Sequence, residues 1–235
     1  KSVIRRKVKP MLASSKEDSM IELQHIWKQF GSRIIFSDLN LNFQSGMVYA
    51  LIGDSGCGKT TLLNMLAKLE TFDKGEIIYK GKSLTSLKNE EFYRNELGYL
   101  FQNFGLLESQ TIRENLELGL IGKKQNKKQE KERLLLQALQ AVRLDYLSLN
   151  QKIYELSGGE AQRVALAKII LKDPPLILAD EPTASLDPKN SKEIMEILLE
   201  LRNANRTIII ATHNPSIWKM ADQVIHLSQD GKEYT

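Results

Sequence analysis

The chain has 235 residues, 42% hydrophobic, 26% charged and 7% aromatic, a composition that excludes the disordered, collagenous and disulfide-scaffold classes. Its single cysteine, Cys57, cannot form an internal disulfide and offers no second thiol for a structural zinc site. The formal charge of +4 sits in residues 1–19, so residues 20–235 are neutral as a group; a basic tail on a neutral body points to membrane-surface contact, and no nucleic-acid partner is expected.

The longest strongly apolar runs, at 176–179 and 208–211, fall far short of the roughly 18 residues that span a bilayer. The opening KSVIRRKVKP is basic but lacks the apolar run and small-residue cleavage site of a secretory signal. Residues 1–19 are expected to be a basic tail, tag or fusion remnant outside the fold, and residues 20–235 a single domain.

From Met20 short β-rich runs alternate with helical stretches, the pattern of an α/β protein with a mainly parallel sheet. Residues 20–27 and 38–43 are predicted as strands that pair antiparallel. Val48 to Ile52 has no polar alternation and is predicted as a central strand covered on both faces. A helix over 59–69, a strand over 75–79 and a short strand over 99–101 follow. Residues from about 103 to 156 change character and read as an inserted helical lobe; the lysine-rich stretch 123–133 carries Glu130 and Glu132 and opens an amphipathic helix, so it reads as a solvated face. The remaining elements are a helix over 158–171, a buried strand over 176–179, a helix over 191–201, and strands over 207–211 and 224–227.

Gly53, Asp54, Ser55, Gly56, Cys57, Gly58, Lys59, Thr60 and Thr61 fit G-x-x-x-x-G-K-[ST] between a predicted buried strand and a predicted helix. Glycines let backbone N–H groups turn inward around phosphate oxygens, and the helix N-terminus adds partial positive charge. Lys59 then supplies a full charge to the β and γ phosphates, and Thr60 a hydroxyl for Mg2+. Cys57 is expected to be inert, because water and not a thiol attacks phosphorus. Asp180, at the end of the strand Leu176 to Ala179, is the expected metal-side carboxylate, and Glu181, one residue on, is placed to polarise the attacking water.

Leu156-Ser157-Gly158-Gly159-Glu160, followed by Ala161-Gln162-Arg163, resembles the signature motif of ATP-binding cassette (ABC) ATPases. Gln102 resembles the family's Q-loop residue and a Mg2+ or water ligand; Ser185-Leu186-Asp187 resembles its D-loop, with Asp187 at the nucleotide; His213 resembles its switch histidine at the γ phosphate. Phe30 matches the aromatic that stacks on adenine, with Trp27 as competitor. Departures from the commonest pattern are Asp54 in the loop and Lys168, where arginine is frequent.

The likeness is nearest to stand-alone ATPases of macrolide-export, lipoprotein-release, bacteriocin-export and cell-division type. It implies a RecA-like P-loop NTPase core with an antiparallel β subdomain and the helical subdomain of about 103–156. It also implies ATP and Mg2+ as cofactors, and a homodimer or ABC-type heterodimer in which Ser157, Gly158, Gly159 and Glu160 of one copy complete the phosphate loop of the other. The expected partner is an integral membrane permease at the cytoplasmic face of the membrane, contacted through Phe104 to Glu108. The expected role is that of a transport-coupled ATP hydrolase serving an exporter, with a mechanical signalling ATPase that acts on a membrane partner and moves no substrate as the alternative.

Overall fold

A computed structural model describes residues 19–123, 128–184 and 186–228, with the backbone of a last short strand, Glu233–Tyr234. The tail expected at residues 1–19 therefore lies outside the described residues except for Ser19, as does Ser185 of the D-loop match.

The elements in order are β1 (Ser19–Phe30), β2 (Arg33–Gln44), β3 (Val48–Ile52), α1 (Lys59–Leu66), β4 (Lys74–Tyr79), β5 (Lys82–Ser83), α2 (Asn89–Glu91), β6 (Leu97–Leu100), α3 (Ile112–Glu117), α4 (Lys128–Ala141), α5 (Gly158–Lys172), β7 (Leu176–Asp180), α6 (Pro188–Glu200), β8 (Thr207–Ala211), α7 (Pro215–Trp218), β9 (Gln223–Leu227) and β10 (Glu233–Tyr234). They form two sheets. An antiparallel sheet has the order β2-β1-β4-β5, and the second sheet has the order β10-β9-β3-β8-β7-β6, parallel from β9 through β6. The first two strands pair antiparallel as expected, but run longer than predicted at both ends.

Every residue of β7 and β8 is buried, and β3 is buried except at Ile52. Burial on both faces explains why these strands show no polar alternation, and each fully buried Leu or Ile contributes about 1.5–3 kcal/mol. One apolar layer, containing Tyr49, Leu62, Leu63, Leu178 and Ile209, lies between the parallel sheet, α1 and the antiparallel sheet. The other, containing Leu116, Leu135, Leu166, Ile177 and Ile208, joins the parallel sheet to the helices on its far side.

Two helix ends differ from expectation. α1 stops at Leu66 rather than Leu69, because Lys68 takes a left-handed φ of 58° and the chain turns back. α6 begins at Pro188, a turn before the predicted start. The Asp187 carboxylate accepts from the N–H groups of Lys189 and Asn190, and a proline at the first helical position sacrifices no hydrogen bond.

Candidate nucleotide site

β3, β8, β7 and β6 are neighbours in the parallel sheet, and their carboxyl ends deliver Gly53, Thr212 and His213, Asp180 and Glu181, and Gln102 to one edge. Open parallel sheets characteristically bind ligands outside these strand ends. A cleft of about 1180 Å³ opens there, lined among others by Phe30, Ser55, Gly56, Lys59, Gln102, Glu181 and His213.

The phosphate loop closes on its own lysine. Lys59 Nζ donates to the carbonyls of Gly53 (2.8 Å) and Asp54 (3.2 Å), so the loop curls around an ammonium that is largely buried. Gly58 has φ 104° at the start of α1, and a Cβ there would stand 2.7 Å from Ile35 and Phe36. A side chain is thus excluded both by the backbone conformation and by the antiparallel sheet. Cys57 is buried beside Lys59, with Sγ 3.9 Å from Nζ. Gly53, Asp54 and Cys57 support the loop without lining the cleft, which is faced by Ser55, Gly56, Gly58, Lys59, Thr60 and Thr61.

Thr60 Oγ1 donates to Asp180 Oδ1 at 3.1 Å. Burial pushes the Asp180 carboxyl up, while Thr60 and then Lys59 pull it back down. A hydroxyl beside a carboxylate is a hard-oxygen donor pair suited to Mg2+. Among the described residues no group of three His, Cys, Asp or Glu side chains stands ready to hold a metal alone, so a cation at this pair would take its other ligands from phosphate and water.

Glu181 follows Asp180 in a left-handed conformation, φ 46°, with its N–H donating to Ala211 O at 2.9 Å. For a side chain of this kind that backbone is strained, and the strain is held by the β8 hydrogen bond. His213 Nε2 lies 3.2 Å from both Lys59 Nζ and Glu181 Oε1. One ring nitrogen cannot accept from the ammonium and donate to the carboxylate at once. The approach to Glu181 lacks hydrogen-bond alignment, leaving Glu181 Oε1 buried without a hydrogen-bond partner. Burial raises this carboxyl above the ordinary glutamate range, opposed next by the nearby His213. An unsatisfied acceptor facing the phosphate loop suits a water or a phosphate-bound hydroxyl.

Gln102 is exposed at the cleft rim, two residues past the end of β6. Its loop is anchored from two sides. Lys168, the position where arginine is commoner, donates to Gly105 O at 2.6 Å. Buried Asn115 holds Leu107 through both N–H and C=O, at 2.7 and 3.1 Å.

Ser157, Gly158, Gly159 and Glu160 do not line the cleft. They form the start of α5, closed by a capping box: Glu160 Oε2 accepts from the Ser157 N–H (2.8 Å) and hydroxyl (2.7 Å), and Tyr146 donates to Oε1 at 2.8 Å. Asp187 likewise stays outside the cleft, engaged in capping α6. The structure therefore brings the phosphate loop, Asp180, Glu181, Gln102, His213 and Phe30 together and leaves the signature residues off the cleft lining, while Asp187 sits between Leu186 and Pro188, which both line the cleft, with its carboxylate turned to cap α6.

Four residues make contacts here that the sequence did not specify. Arg33 donates from its guanidinium to Gly56 O at 2.8 Å across the cleft wall. Gln162 of α5 donates to Pro182 O at 3.0 Å, beneath the segment that follows Glu181. Asn190 accepts from Arg163 at 2.9 Å. The only sequence signal for Gln162 and Arg163 was their place after the signature glutamate.

The fold and this cleft define a P-loop nucleoside triphosphatase. An ABC transporter family profile matches residues 36–184. The chain is 39% identical to the uncharacterized ABC transporter ATP-binding protein MJ1508 of Methanocaldococcus jannaschii, covering 91% of this chain and 97% of that protein. It is 36% identical to the macrolide export ATP-binding/permease protein MacB of Campylobacter jejuni over 91% of this chain, which spans 33% of that longer protein. Among solved structures, the dimeric ATP-binding cassette MJ0796 of M. jannaschii, in a post-hydrolysis state with ADP and Pi, superposes with a TM-score of 0.82 at 31% identity, over 92% of this chain and 98% of that one. The chain belongs to the ABC transporter ATP-binding family and is a nucleotide-binding ABC-type ATPase.

Proposed function

We propose that this chain is the ATP-hydrolysing motor of an ABC exporter, closing as a dimer around two ATP molecules and driving a conformational change in a separate integral membrane permease at the cytoplasmic face. One observation carries the reading: a cleft that collects Lys59, Glu181 and His213 is separated, within the chain, from the Ser157 turn that would cover it. A second copy, or a homologous cassette, completes each site by presenting the N–H groups at the start of its α5 to the γ phosphate. The dimeric state of MJ0796 supports this arrangement.

In this reading Lys59 leaves the Gly53 and Asp54 carbonyls for the β and γ phosphates, and Thr60, Asp180 and Gln102 would hold Mg2+, which would neutralise charge on the phosphates. The ring of Phe30 stacks on adenine. Glu181 orients water and accepts its proton; His213 contacts the γ phosphate. Ser157, Gly158, Gly159, Glu160 and Asp187 belong to the partner-facing surface. Loss of the shared γ phosphate contacts on hydrolysis lets the two copies part. Leu107, exposed beside the Gln102 turn, and its neighbours from Phe104 to Glu108 form the permease contact. Likeness to MacB supports export, and the equal 36% identity to the methionine import protein MetN 2 of Enterococcus faecalis supports a motor whose direction is set by its permease.

Glu181→Gln tests the reading. Turnover is expected to fall by about 10²–10⁴-fold with ATP binding retained, and the variant is expected to accumulate as a dimer in gel filtration with ATP. Rapid phosphate release by this variant rejects Glu181 as the residue that activates water.

A further inference from the structure

We propose that Lys28 is a positioning residue for nucleotide recognition, holding the Phe30 ring at a set distance from the phosphate loop through an ion pair with Glu70. The inference deepens the assignment of Phe30 to the base and rests on it.

Lys28 is only 5% exposed, and its Nζ lies 2.7 Å from Glu70 Oε1 and 4.4 Å from the centroid of the Phe30 ring. Burying an ammonium is costly unless it is paired. Here one carboxylate and one aromatic ring face it. Phe30 itself is 47% exposed and lines the cleft. A cation over a phenyl ring is attracted to the ring's electron-rich face, so Lys28 holds one face of this half-exposed side chain.

Glu70 ties this contact to the phosphate end of the site. Its N–H donates to Asn64 O of α1 at 3.1 Å, and α1 begins with Lys59 and Thr60 of the phosphate loop. The same short segment is strapped to the end of β1 twice more. Asp73 N–H donates to Trp27 O at 2.8 Å, and Gln29 N–H donates to Asp73 Oδ2 at 2.7 Å. Residues 27–29 are thus clamped to the connection that leaves α1. The Phe30 ring and the phosphate loop are consequently referenced to one helix, which sets the span between base and phosphates. Affinity for a nucleotide gains from such preorganisation because the ring need not be ordered on binding.

The test compares ATP with inorganic tripolyphosphate, which carries the phosphates but no base, by calorimetry on the full chain. Lys28→Met is expected to weaken ATP binding about three- to tenfold and to leave tripolyphosphate binding unchanged. Lys28→Arg, which keeps a cation, is expected to recover most of the loss, and Glu70→Gln to show a smaller loss of the same kind. In a Phe30→Ala background Lys28→Met should cost nothing further. Equal losses for ATP and tripolyphosphate, or the same loss with and without Phe30, overturn the proposal by showing general damage. A Lys28→Met chain that binds ATP like wild type, while Phe30→Ala binds weakly, overturns it and leaves the base-stacking assignment standing. If Phe30→Ala alone leaves ATP affinity intact, that assignment falls, and the proposal with it. Should Lys28→Met fail to fold, Glu70→Gln and Lys28→Arg give the same discrimination.

Discussion

The phosphate-loop cleft and the Ser157 turn satisfy their polar groups in opposite ways. In the cleft, charged groups from distant parts of the chain converge with incomplete pairing: Lys59 borrows backbone carbonyls, His213 stands between an ammonium and a carboxylate, and Glu181 Oε1 lacks a hydrogen bond. At the Ser157 turn the capping box uses residues three apart, and Tyr146 adds a hydrogen bond from outside it. A locally complete motif folds as a finished helix start, with first-turn N–H groups still directed outward. An incompletely paired cleft is costly to the apo protein and receptive to a ligand. Each region supplies what the other lacks, which is the physical basis for placing them across an interface.

The largest expected effect separates the two regions by mixing. Lys59→Ala removes the cleft's cation. Gly158→Asp adds an anion to the turn at a position with room for a Cβ, which would meet Leu186 at 3.5 Å and Phe104 at 3.7 Å. Each variant alone is expected to lose turnover by about 10²–10³-fold. Mixed together, they should regain activity from the one intact composite site in each mixed dimer; a mixture as inactive as its parts breaks the comparison.

Next in size, adjacent glycines should behave differently. A Cβ at Gly159 would stand 2.5 Å from Asn190 Oδ1, which is held by Arg163. Gly159→Ala is therefore expected to lower stability by about 1–3 kcal/mol in denaturant unfolding, whereas Gly158→Ala is expected to unfold like wild type. Equal stability of the two would mean that α6 does not pack against the turn as described.

The pH dependence of kcat sharpens the account of the cleft. Glu181 must be ionised to accept a proton, and burial raises its carboxyl above the ordinary range. Activity should thus be lost on acidification at a higher pH than an exposed glutamate would produce, and that acid limb should be absent from the residual activity of Glu181→Gln. A limb at or below the ordinary glutamate value counts against the assignment. The smallest effect belongs to Tyr146→Phe, which removes one partly exposed hydrogen bond to Glu160, worth about 0.5–1.5 kcal/mol at most. A change in kcat well above tenfold would show that the turn depends on tertiary support after all.

Much of the architecture was legible because its signals are local. Strand β3 and strand β8 were read at their observed limits, since an uninterrupted run of apolar residues between turns has few other solutions in an α/β chain. The phosphate loop declared itself through glycine spacing, and the signature turn through a serine and a glutamate three apart. The end of α1 falls short of its apolar pattern, which Leu69 continues, because Lys68 turns the chain into the segment that meets β1. The start of α6 was placed late because Asp187 was weighed as a nucleotide residue and not as a helix cap.

By itself, then, the sequence determined the fold class, the phosphate loop and the order of the motifs, because each depends on backbone preferences and burial patterns within a few neighbouring residues. Tertiary structure alone decided that Arg33 lies against Gly56, that Asn115 grips Leu107, and that Lys28 pairs with Glu70 beneath Phe30. It also decided that Glu181 and His213 meet while Ser157 stays away. Those relations join residues remote along the chain, and only the stacking of two sheets and their helices brings them within bonding distance.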